Sequence, residues 1–415
     1  MATTLKNTVL TEKVLNTLFE RYHLVRKHTE SICKNLQPED LQLQASDFAS
    51  PAKWHLAHTS WFFETFLLKP HLPDYHVFNE SYNFFFNSYY ESVGKRNPRP
   101  NRGLMSRPYA TEIFSYRKYI DEHMEILFSS EQFVDAEFIM LFELGLQHEQ
   151  QHQELLLTDI KYALSLNPLF PAVYDLQENK SSDKSILSIG ANSNIDAWIN
   201  FEEGIYEIGA SGAGFSFDNE HPRHRSFLQS YSVRKNLVTN GEFLEFMIAG
   251  GYDNFNYWHA DARPWINENE IISPLYWIKQ GENWFHYTLN GLCPLNLSAP
   301  VTHISFYEAF AFAEWSGMRL PTEQEWEIAS TKFNWGERWE WTSSAYLPYP
   351  GYEHATGALG EYNGKFMVNQ MVLRGASVAT PASHSRLTYR NFFNPPLRWQ
   401  FTGIRLARKH GTINT

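Results

Sequence analysis

Two histidines four residues apart, His148 and His152, are the residues of this chain best placed to do chemistry. They lie in the segment HEQQHQE, and Leu144, Leu155 and Asp159 continue their pattern of three- and four-residue steps. That spacing predicts one face of a helix. Imidazoles at positions i and i+4 of one face can bind a single metal ion. Taken alone, the pair also fits two core histidines that are hydrogen-bonded to their neighbours.

A third histidine comes from a second predicted helix, in the sequence WHLAHTSWFFE. Trp54, His58 and Trp61 fall on one stripe of that helix, whereas His55 falls on the neighbouring face with Phe62. The periodicity favours His58 only modestly over His55 as the inward-facing residue.

Four long helices are predicted to position these histidines, at 10–36, 50–68, 113–128 and 136–166. Ser50 is the expected N-cap of the second helix, with Pro51 at its first position. Four such helices are typical of an antiparallel bundle, which builds metal sites from side chains on facing helices. A long segment, 69–112, joins the second and third helices, and a connection of that length is commonly functional.

The composition of the chain changes after residue 176. A polar linker is expected at 177–195, and short strand-like runs then dominate 196–415. Helices are predicted within that second part at 306–315 and 323–329. We therefore expect a helical domain at 1–176 and a mixed α+β domain at 196–415, which agrees with roughly 100–200 residues per domain.

Composition excludes several classes of function. The formal net charge is −11 and no long basic run is present, so a nucleic-acid partner is not expected. Cys33 and Cys293 are the only cysteines, which excludes a disulfide framework and a cysteine-rich zinc site. Charged residues interrupt the first 22 positions, and no stretch approaches the ~18 apolar residues of a membrane span. A cytoplasmic protein without a membrane partner is expected, and the sequence leaves its oligomeric state open.

The first part of the chain resembles a known family. His58 in WHLAHTSWFFE, with His148 and His152 in HEQQHQE, resembles the three-histidine iron site of the DinB-like domain. More specifically, it resembles the sulfoxide synthases of ergothioneine biosynthesis. The segment NSYYESVG at 87–94, followed by several arginines, strengthens that resemblance.

The second part resembles the partner domain of those enzymes, the formylglycine-generating-enzyme-like fold, which is related to C-type lectins. The matching motifs are PVTHISF (300–306), GMRLPTEQEWE (317–327), WEWT (339–342), LRGAS (373–377), YRNFF (389–393) and GIRLA (403–407). Formylglycine-generating enzymes use cysteines near the end of this fold, and here no cysteine follows Cys293. We therefore expect this domain to bind substrate rather than to form formylglycine.

The resemblance implies an iron(II)- and dioxygen-dependent enzyme. Its substrates would be hercynine and either cysteine or γ-glutamylcysteine, and its product a sulfoxide with a new C–S bond at the hercynine imidazole. Three imidazoles, in place of two histidines and a carboxylate, leave more positive charge on the iron and favour a thiolate ligand. Structural zinc fits poorly because such sites are usually closed and four-coordinate, and no fourth ligand is apparent.

The resemblance also implies a binding site for hercynine. Gln151 matches a glutamine that contacts the imidazole substrate, and Asn391, Phe392 and Phe393 match the segment that holds hercynine. A trimethylammonium group cannot donate an N–H hydrogen bond, so aromatic faces are suited to bind it. Trp399 is a further candidate, although a core position is the favoured interpretation for that residue.

The long segment supplies the remaining candidates. Arg96 and Arg99 are suited to bind the carboxylate of the thiol substrate, although surface salt bridges are an equal alternative. Tyr89 and Tyr90 resemble the catalytic tyrosines of one branch of the family. A phenol there can donate a proton and direct the reaction towards the sulfoxide instead of thiol dioxygenation. Three other functions remain open: a selenoneine synthase, a DinB-like thiol transferase without oxygen chemistry, and a non-catalytic lectin-like module.

Overall fold

The computed structural model describes residues 2–90, 93–129, 135–174, 197–212 and 214–408. The chain forms two compact units, Met1–Pro168 and Leu169–Thr415, called here the helical unit and the mixed unit. The linker predicted at 177–195 lies outside the described residues.

The helical unit contains the four predicted long helices. They are α1 (Ala2–Cys33), α2 (Ala52–Phe63), α5 (Ala110–Ser129) and α6 (Ala136–Ser165), and short helices α3 (Lys69–His71) and α4 (Tyr82–Phe86) lie between them. After α2 the chain continues through one π-helical turn, Glu64–Leu68. Within the described ranges, none of the helices combines the length and the apolar character needed to cross a membrane.

The predicted start of α2 is wrong by one residue. Pro51 occupies the N-cap position and Ser50 precedes it, without a side-chain cap hydrogen bond. The Ser50 hydroxyl instead accepts a hydrogen bond from Arg102, and its backbone N–H donates to the Asp159 carboxylate. Ser50 therefore ties the beginning of α2 to the end of α6 and does not cap the helix.

Every residue of α2 is buried, and the helix packs against α1, α5 and α6. A glycine on α6, Gly145, lies where that helix packs against α2. A Cβ atom at Gly145 would lie 2.8 Å from the ring of Phe63 and 3.0 Å from that of Phe62. Because any larger side chain would press against these two buried rings, Gly145 keeps α2 and α6 close enough for their side chains to share one site.

The mixed unit confirms the predicted combination of helices and sheets. Its strands are β1 (Trp198–Phe201), β2 (Gly204–Ile208), β3 (His224–Leu228), β4 (Tyr231–Arg234), β5 (Trp277–Gln280), β6 (Asn283–Thr288), β7 (Gly291–Pro294), β8 (Trp339–Ala345), β9 (Met371–Gly375), β10 (Asn391–Phe393) and β11 (Thr402–Gly403). Antiparallel pairs join β1 to β4 and β2 to β3, and β5, β6 and β7 form an antiparallel meander. The largest sheet has the order β10-β9-β8-β11, with β11 parallel to β8.

The helices of the mixed unit are short. They are α7 (Asn240–Ile248), α8 (Ala262–Glu268), α9 (Phe306–Trp315), α10 (Glu323–Ala329) and α11 (Gly357–Gly360). The two predicted helices, α9 and α10, have the bounds expected from the sequence. Ser305 and Thr322 form capping boxes with glutamates three residues on, which explains why these helices begin where they do. Trp326 of α10 packs into a core with Tyr231 and Val233 of β4.

The charged residues of the mixed unit's motifs pair with one another. Three buried pairs are Arg405 with Glu340, Arg390 with Glu323, and Arg374 with Glu327. The first two are bidentate, with N–O distances of 2.6 to 2.9 Å. These motif residues therefore hold distant loops and strands together.

Candidate metal centre

Three buried imidazoles converge inside the helical unit. His58 lies on α2, and His148 and His152 lie on α6; we call them the histidine cluster. Each offers one nitrogen, and these nitrogens all lie within 4.8 Å of one another. The Nε2 atoms of His58 and His148 are 3.0 Å apart. Nitrogen ligands about 2.1 Å from a metal and at right angles to each other are separated by about 3 Å, so this spacing fits one ion.

The orientation of His58 is set by its neighbours. Its Nδ1–H donates to the backbone carbonyl of Phe86 at 2.5 Å, since a carbonyl can only accept. The ring stacks on Trp54 at 4.4 Å and on Trp61 at 5.7 Å between centroids. His58 is therefore held in the tautomer whose Nε2 atom carries a lone pair.

Burial keeps the cluster neutral. Desolvation, reinforced by neighbouring histidines, holds the pKa values of His58 and His152 well below the usual range of histidine. The pKa of His148 is lowered to about 3, again mainly by burial. Neutral imidazole is the form that binds a metal ion, so the site does not have to lose ring protons at neutral pH to become a ligand set.

A second row of polar residues lies behind His152. His55 Nδ1 is 2.8 Å from His152 Nδ1, and His55 Nε2 is 3.0 Å from the Asp159 carboxylate. Sequence reasoning assigned no role to His55 or Asp159. The available signal was that Asp159 shares the helical face of His152, seven residues further along α6.

The opposite side of α6 is fixed by a buried ionic network. Glu149 accepts hydrogen bonds from Arg26 of α1 and from Arg117 of α5, both at 3.0 Å, and from the Thr29 hydroxyl at 2.6 Å. The two arginines outweigh desolvation and lower the pKa of Glu149 to about 2. Gln153 donates to Thr29 on the same side. With these residues bound to α1 and α5, the histidines of α6 face α2.

The predicted tyrosines lie beside the ligands' aromatic neighbours. Tyr90 is fully buried and Tyr89 half-buried, and their rings stack with centroids 4.9 Å apart. The Tyr90 ring lies 5.6 Å from Trp61, which stacks on His58, and 6.2 Å from Phe62, which lies against His148. Tyr90 is therefore separated from two candidate ligands by a single layer of rings.

The loop arginines are placed differently from one another. Arg99 is exposed and Arg96 is half-buried. Arg102 is buried; its guanidinium lies 3.4 Å over the ring of Trp54, on which His58 also stacks. The structure thus places Arg102, which was not among the predicted site residues, beside the histidine cluster's aromatic neighbour. Gln151 is half-buried on α6, next to His152.

The predicted hercynine segment belongs to the mixed unit. Asn391, Phe392 and Phe393 form β10, and all three are half-buried. Phe392 stacks on Tyr346 at 4.1 Å between centroids, and Phe393 packs edge-on against the buried Trp399. Trp399 is a core residue, as the sequence favoured.

Known proteins match both parts of the chain. The family model described as "Sulfatase-modifying factor enzyme 1-like domain" matches residues 187–338. A hercynine oxygenase of Mycolicibacterium smegmatis is 26% identical over 453 residues, which cover 94% of this chain and 98% of that protein. A hercynine oxygenase of Mycolicibacterium thermoresistibile is 24% identical and covers 89% of each chain. A formylglycine-generating enzyme of Streptomyces coelicolor is 30% identical over 148 residues, which cover 32% of this chain and 46% of that one.

The matches and the structure together indicate the class of the protein. It is an enzyme that joins a helical unit, with its histidine cluster, to a sulfatase-modifying-factor-like domain. More particularly, it is a homologue of the hercynine oxygenases over nearly its whole length, which confirms the resemblance seen in its motifs. The formylglycine-generating enzyme of Streptomyces coelicolor, in contrast, matches only about a third of the chain.

Proposed function

We propose that the protein is an iron(II)-dependent sulfoxide synthase that joins hercynine to cysteine or γ-glutamylcysteine. The observation that carries this proposal is the convergence of His58, His148 and His152 in a chain homologous to hercynine oxygenases. We assign the helical unit to the DinB-like four-helix class and expect the enzyme to act in the cytoplasm.

The donor set suits iron(II). Among the described residues, no cysteine or carboxylate joins the histidine cluster, so three neutral nitrogens are the ligands on offer. A bound iron(II) ion would supply the redox chemistry with dioxygen and positive charge to attract a thiolate. The chain's own contribution is to hold the three rings rigidly and to keep them unprotonated.

The overall reaction consumes one dioxygen for each product. A C–H bond of the hercynine imidazole and the S–H bond of the thiol are broken, and a C–S bond forms. One oxygen atom becomes the sulfoxide oxygen, and the other leaves as water with the two hydrogens. The four electrons taken from carbon and sulfur reduce dioxygen completely, so no external reductant is required.

Hercynine binding is assigned from the family resemblance. We propose that Gln151 contacts the imidazole of hercynine and that Asn391, Phe392 and Phe393 hold its trimethylammonium group. The stacked rings of Phe392 and Tyr346 support this role, since aromatic faces attract quaternary ammonium groups.

The carboxylate of the thiol substrate requires a positively charged partner. We propose Arg96 and Arg99 for this role, because an arginine fork can bind a carboxylate through two parallel hydrogen bonds. Arg96 is half-buried and Arg99 exposed, and both follow the paired tyrosines in the chain.

Proton delivery is assigned to the paired tyrosines. Tyr90 is the favoured donor because it is buried against Trp61 and Phe62, which contact His58 and His148. Asn87 fixes the backbone at that position by accepting from the Tyr90 N–H and donating to the Tyr90 carbonyl. Tyr89 stacks on Tyr90 and would restrict its ring.

The direct test is oxygen uptake by protein loaded with iron(II), given hercynine and either cysteine or γ-glutamylcysteine, with products identified by mass. We expect one dioxygen consumed per sulfoxide formed, and the better thiol identifies the donor. Turnover without oxygen would instead favour the thiol transferase, and a selenium donor preferred over both thiols would favour the selenoneine synthase. Absence of any turnover would contradict all three.

A further inference from the structure

We propose that Asp159 and His55 form a hydrogen-bond relay that holds His152 in the tautomer able to bind a metal through Nε2. The relay rests on the proposed metal site and deepens it. It gives a positioning role to two residues that lie behind the histidine cluster.

The Asp159 carboxylate sets the direction in which the hydrogen bonds of the relay are donated. Asp159 Oδ2 accepts from the backbone N–H of Ser50 at 2.8 Å and lies 3.0 Å from His55 Nε2. The same oxygen is suited to accept a second hydrogen bond, so we place the proton of this bond on His55 Nε2. In that tautomer the His55 ring presents a lone pair on Nδ1.

The second step passes this arrangement to the ligand. His55 Nδ1 and His152 Nδ1 are 2.8 Å apart, so one of them donates and the other accepts. With the lone pair on His55, the proton sits on His152 Nδ1 and the lone pair on His152 Nε2. The reverse arrangement would place a proton on the nitrogen that has to bind the ion.

Because the residues of the relay are buried, the loss of one hydrogen bond should affect metal binding. His55, His152 and Asp159 are 2%, 7% and 5% exposed, so water does not readily replace a lost partner. His58 reaches the same tautomer by a different route, through the Phe86 carbonyl. Outer hydrogen-bond partners of metal-bound histidines typically change metal affinity by about 10- to 100-fold, which sets the size of the expected effect.

The sharpest variant is Asp159→Leu, which is similar in size and cannot accept a hydrogen bond from His55. No acceptor then holds a proton on His55 Nε2, so His55 is free to donate from Nδ1. The relay no longer keeps the proton of His152 on Nδ1. We expect the affinity for Co(II), followed by visible absorption under anaerobic conditions, to fall about 10- to 100-fold.

Two substitutions of His55 distinguish the contribution of its hydrogen bonds from that of its packing. His55→Gln retains an oxygen that accepts from His152 and an amide that donates to Asp159, so affinity should stay within a few-fold of the wild type. His55→Leu fills space without either function and should weaken Co(II) binding as much as Asp159→Leu. Far-ultraviolet circular dichroism reports whether each variant is folded.

A second measurement reads the tautomer without any metal. Ring ¹⁵N signals of histidine-labelled, metal-free protein should show His152 protonated on Nδ1 in the wild type and shifted towards protonation on Nε2 in Asp159→Leu. Asp218→Leu is the matched control: Asp218 is a buried aspartate of the mixed unit that accepts from Tyr352 and Asn363. This control should leave the Co(II) affinity unchanged.

The relay is overturned if Asp159→Leu keeps the wild-type tautomer of His152, even with weakened metal binding. It is also overturned if His55→Gln binds Co(II) as poorly as His55→Leu. A wild-type protein that binds no Co(II) would refute the proposed metal site, while the ring ¹⁵N signals would still decide the relay.

Discussion

The histidine cluster of the helical unit and the arginine–carboxylate pairs of the mixed unit are both buried, yet their charges are arranged differently. Arg405 pairs with Glu340 and Arg390 with Glu323, each through two hydrogen bonds to a carboxylate. The histidine cluster contains no carboxylate, and its nitrogens point towards one another.

The difference separates residues that hold the fold from residues that can do chemistry. A buried arginine and its carboxylate satisfy each other, so no binding capacity remains for a ligand. Three neutral imidazoles with strongly depressed pKa values remain able to bind a shared cation, and such perturbed groups mark functional sites. Both sets stand in prominent motifs, so the partners of a motif residue, and not its prominence, indicate its role.

Removing a ligand should have the largest effect. Replacing His58, His148 or His152 by Ala leaves two imidazoles for the ion, and we expect bound iron to fall below one tenth of the wild-type content, with loss of oxygen uptake. Iron per chain, measured after desalting, checks this. His384→Gln removes a buried histidine of the mixed unit and should retain iron. Equal iron loss in both would erase the contrast between the units.

Replacing both tyrosines by Phe should alter the product and leave the metal bound. Tyr89 and Tyr90 lie outside the histidine cluster, so iron content should not change. Loss of a general acid typically costs about 10²- to 10⁴-fold, and we expect sulfoxide formation to fall accordingly while cysteine sulfinate accumulates. The single variants Tyr89→Phe and Tyr90→Phe show which phenol is required. An unchanged ratio of sulfoxide to sulfinate in the double variant would exclude both.

The long helices and the pairing of His148 with His152 could be predicted from the sequence because both follow from local spacing. Periodicity favoured His58 only modestly over His55, and the family resemblance decided that choice. The i, i+4 pattern places His148 and His152 on one face of α6, and Ser305 and Thr322 mark helix starts through capping boxes. The roles of His55 and Asp159 could not be predicted. They depend on how α2 and α6 pack, which local periodicity does not encode.

The same limit explains why the ion pairs between motif residues of the mixed unit could not be predicted. Glu340 and Arg405 are 65 positions apart, and nothing in their local sequence indicates that they pair. The predicted N-cap of α2 was wrong for a similar reason, because the groups that bind Ser50 come from Arg102 and Asp159, which are distant in sequence. Tertiary contacts decided these positions, whereas local propensity decided the helices.

Breaking a pair in the mixed unit should destabilise without affecting the metal. Glu340→Gln leaves the buried Arg405 guanidinium without a counter-charge, and removal of one partner typically costs about 3–5 kcal/mol. Urea unfolding should show this loss, whereas iron per folded chain should match the wild type. The exposed pair Lys118–Glu122 offers a control, because Glu122→Gln should change stability by about 0.5 kcal/mol or less. A comparable cost for both variants would contradict a structural role for burial of the pair.

Acidification should weaken the metal-free helical unit more steeply than the mixed unit. Histidine in the unfolded chain has a pKa near 6.5, whereas burial lowers the pKa of His148 to about 3 and holds those of His58 and His152 well below the usual range. Below about pH 6.5 the unfolded chain therefore binds protons that the folded unit refuses. Its unfolding free energy falls as the pH drops towards 3, by at most about 1.4 kcal/mol per pH unit for each histidine.

The mixed unit supplies the internal reference for that slope. Burial lowers the pKa of His384 to about 3 as well, so this unit should lose stability in the same direction but from fewer strongly shifted groups. Hydrogen exchange followed by mass spectrometry, corrected for intrinsic rates and compared at pH 6.5 and 5.5 with a chelator present, resolves the two units peptide by peptide. Added metal should protect α2 and α6 selectively. The ion binds the neutral imidazoles of the folded histidine cluster and so stabilises the folded helical unit relative to the unfolded chain, in which these histidines are protonated. Parallel slopes in the two units, or protection by metal spread evenly over both, would mean that the histidine cluster titrates as ordinary core.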